Sequence, residues 1–280
     1  MNRSWYPGHM AKALEDIKKH LNIIDIVIEV ADSRVPVSSR DVALDRLVGR
    51  KQRIIVLNKA DLSDNRLNTE WIKYFESNGM NAIAINAKSS RDIERLKGLM
   101  KNIDGRYKDR RIKNIVIVGI PNVGKSTILN ALSGNKRAAV GARPGITKRI
   151  GWFRTDEFQI MDTPGILKPN IKNELIKLHL ACIGAIDDAA IDIEDMAMGL
   201  LEVLMIRYVD RLIERYGIPY ITEQTDNYEL LKMICRNKSW LKSGGEPDTY
   251  RGAAKILDDF RKGLLGPVTL EFPPEDDNVE

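Results

Sequence analysis

Four short apolar runs punctuate the first 120 residues: DIVIEV at 25–30, RIIVLN at 53–58, NAIAIN at 81–86 and NIVIVG at 114–119. Each is rich in β-branched residues, and each is followed by a stretch with helical periodicity. That is the pattern of parallel strands joined by crossover helices. IGWFR at 150–154 and FQIMD at 158–162 are separated only by TDE and predict a hairpin on the same sheet. Beyond Pro169 the period changes, and IEDMAMGLLEVLMIRYVDRLIERYG at 193–217 reads as a long helical pattern, with further helices predicted at about 226–236 and 248–262. The expectation is an α/β unit over residues 1–170, a small all-α unit over 171–272, and an acidic, Pro-rich, disordered tail over 273–280.

Composition adds limits to this picture. A chain of 280 residues, 43% apolar and 30% charged, is long enough for about two soluble domains, each with a core. No apolar run approaches the ~20 residues of a membrane span, and the N-terminus lacks the layout of a signal peptide. A cytoplasmic monomer with no membrane association is expected. Cys182 and Cys235 have no metal-ligand spacing and read as reduced thiols. The net charge of +5 hides an asymmetry: residues 1–170 carry 31 Lys and Arg against 18 Asp and Glu, whereas residues 171–280 carry 13 against 21. The basic half is the candidate nucleic-acid face.

The chemistry enters with GIPNVGKS at Gly119–Ser126, which matches G-x-x-x-x-G-K-[ST] between a predicted strand and a predicted helix. Glycines let backbone N–H groups close around phosphates, and the helix N-terminus adds positive potential. Asn122, Val123, Gly124, Lys125, Ser126 and Thr127 are the candidate cradle: Lys125 neutralises β and γ oxygens, and Ser126 ligates Mg²⁺. Downstream, D-T-P-G at 162–165 ends a predicted strand. Asp162 can hold a Mg²⁺-bound water there, and the Gly165 N–H can meet the γ-phosphate. Thr147, in RPGITK between the two motifs, suits the remaining Mg²⁺ position.

These motifs alone would fit an ATPase. The base is decided by N-K-A-D, Asn58, Lys59, Ala60 and Asp61, directly after the strand RIIVL. Asp61 can accept from guanine N1–H and N2–H₂, whereas adenine offers it no matching donors. Asn58 would brace the neighbouring loops, the Lys59 stem would lie across the base, and the Ala87 N–H, beside Asn86 in N-A-K, can reach guanine O6. Most GTPases place the phosphate loop first and the base motifs last. Here the base motifs come first, so the fold class expected is a circularly permuted P-loop GTPase domain, a mostly parallel sheet with helices on both faces, followed by the all-α unit. DGRYKDRRIK at 104–113 looks like the segment joining the original termini.

In this order, WYPGHMAKA at 5–13, DSRVPVSSR at 32–40, NKAD, GIPNVGKST, RPGIT, DTPGIL and SGGEPD at 243–248 resemble the ribosome biogenesis GTPase A (YlqF) family of circularly permuted bacterial GTPases, over essentially the whole chain. The resemblance implies a GTPase that assists late assembly of the large ribosomal subunit, with GTP controlling its stay on rRNA, and it implies that the helical unit contacts RNA. The charge pattern directs much of that contact to the basic half. Lys136, Arg137, Arg143, Lys148 and Arg149 surround the first switch loop, and Arg106, Lys108, Arg110, Arg111 and Lys113 populate the connector. In the helical half the candidates are Lys232, Arg236, Lys238, Lys242, Arg251, Lys255, Arg261 and Lys262.

Ras-like enzymes orient the attacking water with a glutamine directly after D-x-x-G. Here that position is Ile166, which has no donor or acceptor. His20 falls in an amphipathic helix and His179 in the helical unit, positions typical of surface or core-edge residues. His9 follows a Pro-Gly turn, and the resembling family has a histidine at this position proposed to be catalytic. Asn122 has its own counterpart: GTPases with this form of phosphate loop resemble those that bind K⁺ through the loop Asn. Two alternatives stay open, a non-hydrolysing guanine-nucleotide sensor and a permuted GTPase acting on a small-subunit precursor or another ribonucleoprotein.

Overall fold

The structure is a computed structural model that describes residues 15, 17–41, 44, 47–49, 51–103, 112–134, 151–167, 171–219, 221–222 and 225–274. Its six strands are β1 (Ile26–Asp32), β2 (Gln52–Asn58), β3 (Asn81–Ile85), β4 (Lys113–Val118), β5 (Gly151–Arg154) and β6 (Phe158–Asp162). They form one sheet in the order β3-β2-β1-β4-β6-β5, parallel throughout except for the antiparallel β5–β6 pair. The hairpin and all four parallel runs fall where the hydrophobic pattern placed them.

Both faces of the sheet are covered, which is why β1 is buried along its whole length. Ile26, Ile28 and Val30 face a core shared with α2 (Ser90–Asn102) and α3 (Lys125–Ser133). Val27 faces the opposite way, into a cluster with Ile17, Leu21, Val118, Met161 and Ile166. Ala31 joins Trp71 and Phe75 of α1 (Asn65–Ser77) on that same side. Between these two clusters Glu29 is buried, and both its oxygens are taken by Arg40 and one also by Arg53.

The helical part comprises α4 (Glu174–Cys182), α5 (Ile193–Arg207), α6 (Val209–Tyr216), α7 (Asn227–Asn237) and α8 (Thr249–Lys262). The single long pattern predicted over 193–217 is two helices, broken at Tyr208, whose backbone lies at φ −141° and ψ 35°. Gly199 sits inside α5, where a Cβ would come within 2.8 Å of Leu178 Cδ2. Its lack of a side chain serves close packing between α4 and α5.

One apolar core runs from the sheet through Leu180, Ala181 and Leu200 to Phe260. After α8 the chain returns to the α/β part. Val268 N donates to Leu62 O at 3.0 Å, and Leu270 N donates to Arg34 O at 2.8 Å. Trp71 Nε1 donates to Glu271 O, while the Glu271 carboxylate accepts from the Val37 and Ser38 amides. His179 is buried rather than at the surface or core edge, because its Nδ1 lies 2.9 Å from Ser38 Oγ and 3.1 Å from Glu271 Oε1. Of the predicted tail, residues 275–280 lie outside the described residues.

Candidate active site

Each motif sits at or just beyond the C-terminal end of a parallel strand: Asp32–Arg34 at the end of β1, Asn58–Asp61 at the end of β2, Asn86 and Ala87 after β3, the phosphate loop after β4 and D-T-P-G at the end of β6. Strand order reverses between β1 and β4, and ligands of open α/β sheets bind in the crevice at such a switch point. The permutation changes which motif comes first in the chain and leaves the arrangement of strand ends suited to one nucleotide.

Asn58 is the brace that its motif predicts. Its Nδ2 donates to Val123 O at 2.8 Å, and its Oδ1 accepts from Ala87 N at 3.1 Å. One buried side chain thus fixes the spacing between the base loops and the phosphate loop. Gly124 (φ 99°) has to lack a side chain here, because a Cβ would overlap the Asn58 amide. The Ala87 N–H is thereby engaged by Asn58. Asn86 closes a local turn through Lys88 N, and its own N–H donates to Asp92. Asp61 is exposed at the mouth, with Ala60 beside it half-buried.

The phosphate loop ends at the N-terminus of α3, whose first turn of N–H groups has no partner within the helix. Lys125 folds back so that Nζ donates to Ile120 O at 2.7 Å. Burial pushes its ammonium down to about 8, against an opposing pull from Asp162. A polyanion placed there would complete the neutralisation of this buried cation. Ser126 and Thr127 are partly exposed on the same turn, and Val123 is fully buried. Gly165 lies against the loop, where a Cβ would fall 2.8 Å from Pro121 Cα. D-T-P-G is further tied down by Thr163 Oγ1 donating to Ile117 O, and by Ile166 N donating to Gly119 O. The oxygen donors Ser126 and Asp162, beside one buried lysine, are a hard set suited to Mg²⁺ rather than to a softer metal.

Ile166 is 1% exposed and packs in the cluster with Ile17, Val118 and Met161. The position where Ras-like enzymes keep a water-orienting glutamine is therefore part of the core. Asn122, in the left-handed region at φ 63°, donates its side-chain N–H to Gly184 O at the end of α4. Phosphate loop and helical part are in direct contact.

His9 and Thr147 lie outside the described residues, as do Arg106, Lys108, Arg110, Arg111, Lys136, Arg137, Arg143, Lys148 and Arg149. Several of the remaining candidate RNA-contacting cations are engaged internally. Lys113 Nζ donates to the carbonyls of Met100, Lys101 and Ile103, which caps α2. Arg261 pairs with Asp188 and caps α4 through the Ala181 and Cys182 carbonyls. Lys232 and Lys262 pair with Glu229 and Asp258 on their own helices. Both cysteines are buried and free, and burial holds the Cys182 thiol up at about 12. His20 stacks edge-on against Trp152.

Sequence reasoning used DSRVPVSSR only as a family mark. The structure puts its Asp32 against the base motif: Lys59 Nζ lies 2.8 Å from Asp32 Oδ2. The available signal was position, since Asp-x-Arg falls at a strand's C-terminal end, where every other site motif lies.

The comparisons with known proteins agree with this geometry. A family model described as 50S ribosome-binding GTPase matches residues 114–222. The ribosome biogenesis GTPase A of Bacillus cereus is 40% identical over 280 residues, covering 97% of this chain and 94% of that one. Mitochondrial ribosome-associated GTPase 1 of Mus musculus is 32% identical, covering 95% and 89%. Among solved structures, GNP-bound YlqF from T. maritima superposes with a TM-score of 0.67 at 29% identity, covering 94% and 99% of the two chains. GDP-bound TM YlqF gives 0.68 at 30% identity, covering 92% and 99%. With the permuted order of motifs and the strand-end arrangement above, these matches establish that the chain belongs to the ribosome biogenesis GTPase A family of circularly permuted GTPases, and that it hydrolyses GTP in the service of ribosome assembly.

Proposed function

We propose that the protein is a cytoplasmic assembly factor for late maturation of the large ribosomal subunit, one that binds pre-ribosomal RNA in its GTP state and leaves after hydrolysis. The contact between Asn122 of the phosphate loop and Gly184 of the helical part carries this reading. A change at the γ-phosphate has a short path to the element that would face RNA. The relatives named for ribosome biogenesis support the same direction.

In this reading Asp61 reads the guanine edge, the Lys59 stem covers the base, and the Ala87 N–H turns from Asn58 to guanine O6. Lys125 meets the β and γ oxygens, and Gly165 meets the γ-phosphate. Ser126, Thr147 and, through water, Asp162 hold Mg²⁺, which when bound offsets the charge of the phosphates. Asn122 also holds K⁺, so turnover in K⁺ should exceed turnover in Na⁺. His9 takes the water-orienting role that Ile166 cannot fill. Ile17, downstream of His9 in the chain, packs in the same cluster as Ile166. The chain between His9 and Ile17 can span up to ~27 Å.

The deciding experiment is co-sedimentation with separated ribosomal subunits in GTP, GDP and a non-hydrolysable analogue, paired with turnover of His9→Ala. Retention on large-subunit precursors with the analogue and release with GDP are expected, as is a turnover loss of about 100-fold with GTP affinity nearly intact. Retention on small-subunit precursors, or equal turnover by His9→Ala in the presence of the subunit, overturns the corresponding part.

A further inference from the structure

We propose that Asp32 and Arg34 are positioning residues for guanine recognition, holding Lys59 in place and linking its position to the seating of the helical part through the Phe260 carbonyl. The inference rests on the reading that the Lys59 stem covers the base.

Lys59 has its backbone in the left-handed region at φ 61°, unusual for a residue with a long side chain. That turn sends its ammonium inward, 2.8 Å from Asp32 Oδ2, although a quarter of the side chain stays exposed. With the charged head bound to a carboxylate of 0% exposure, the exposed part is mainly methylene stem. An apolar stem held rigid at the mouth of the crevice is what the face of a purine needs.

Asp32 in turn is saturated. Its Oδ1 accepts from the Arg34 amide at 3.1 Å and from Arg34 Nε at 2.9 Å, and its Oδ2 accepts from another Arg34 nitrogen at 2.8 Å as well as from Lys59. The fork-to-fork geometry fixes the carboxylate in rotation as well as in position. Ser33 grips the base motif a second time, donating both N–H and Oγ–H to Asn58 O, at 2.9 and 2.7 Å.

The other end of Arg34 belongs to the helical part. Its remaining terminal nitrogen donates to Phe260 O in the last turn of α8 at 2.9 Å, and the guanidinium lies 4.7 Å from the centre of the Phe260 ring. The Arg34 carbonyl accepts from Leu270 N. Lys59, Asp32, Arg34 and Phe260 therefore form one unbroken chain of charge-assisted bonds. If α8 shifts, Arg34 loses a partner and the carboxylate that anchors Lys59 is freed to turn. By reciprocity, a base seated under Lys59 stabilises the seating of α8.

The test is a double-mutant cycle on GDP affinity with Lys59→Met, which keeps a stem and removes the anchored charge, and Arg34→Lys, which keeps the charge on Asp32 but cannot bridge to Phe260. Both variants leave a cation beside Asp32, so the fold is retained; a melting curve verifies this. Lys59→Met should weaken GDP binding about tenfold and Arg34→Lys about fivefold, and the double variant should be no weaker than Lys59→Met. Hydrogen exchange supplies a readout that general destabilisation does not reproduce. GDP should slow exchange of the amides at 260–264 in the native chain and leave them unchanged in Lys59→Met. If Lys59→Met binds GDP as tightly as the native chain, the anchored ammonium does not position the stem and the proposal fails; an equally unaffected Lys59→Ala would instead remove the base-covering role itself. If Lys59→Met is weaker but the two effects multiply, or protection at 260–264 persists, the link through Asp32 and Arg34 alone is overturned.

Discussion

At the scale of single residues, Ile166 shows how a catalytic group can be absent without leaving a gap. The position follows D-T-P-G, yet its side chain is built into the cluster of Ile17, Val118 and Met161 while its amide is held by Gly119 O. Ile166→Gln should therefore not create a Ras-like enzyme. An amide placed in that cluster loses apolar contact and gains no partner, at a cost of about 3 kcal/mol. Urea unfolding should show that loss, and turnover should fall or stay level; a faster variant with native stability would mean that the side chain at 166 can swing to the nucleotide. The polar residues of the site were legible for a related reason. Asn58, Asp61, Lys125 and Asp162 belong to motifs whose spacing is set by the nucleotide, so candidate roles for them can be proposed from a short window of chain. Asp32 escaped a functional reading because Lys59, on the next strand's end, meets it only in the folded molecule. Arg34 and Lys59 hold its carboxylate well below the usual range, even though burial by itself would push it up.

Elements repeat the contrast between local and tertiary information. The first four strands were visible as β-branched runs because a sheet covered on both faces leaves continuous apolar stretches, and β5 and β6 were visible as a hairpin. The break between α5 and α6 was not visible. Leu204, Tyr208, Leu212 and Tyr216 recur every fourth residue, so helical periodicity runs unbroken through the junction. What stops the helix is a partner 61 residues away: the Tyr208 hydroxyl donates to Thr269 O at 3.1 Å and accepts from Thr269 N at 3.2 Å, and Thr269 is fully buried. Removing one partner from buried polar groups costs more than the bond's net contribution. Tyr208→Phe should lower stability by about 2 kcal/mol, with the amides of Val268 and Leu270 exchanging faster than those of β1. If those amides exchange as in the native chain, the hydroxyl is not what holds the returning segment.

For the whole molecule, the decisive feature is that the sequence-level division near residue 170 marks a change of architecture while the core continues across it. Leu180, Ala181 and Leu200 share one cluster with Ile120 and Val123 of the phosphate loop. The returning segment adds Val268 and Leu270, at 1% and 6% exposure, and the Glu271 clamp on Val37, Ser38 and His179. Two units joined this way should unfold together, and a nucleotide bound to one should stabilise both. At about 100 times its Kd a ligand contributes ~2.7 kcal/mol to whatever unfolds cooperatively with its site. Calorimetry of the full chain should therefore give one transition that GDP moves as a whole. Deleting residues 267–280 removes two buried aliphatic side chains and the clamp, worth about 4 kcal/mol or more. The single transition should then split, with GDP shifting the GTPase part by several degrees and leaving the helical part where it was. A truncated chain that still melts in one GDP-sensitive step would place the coupling in the α4 and phosphate-loop contact instead, where Asn122→Ala is the variant that should separate the two transitions.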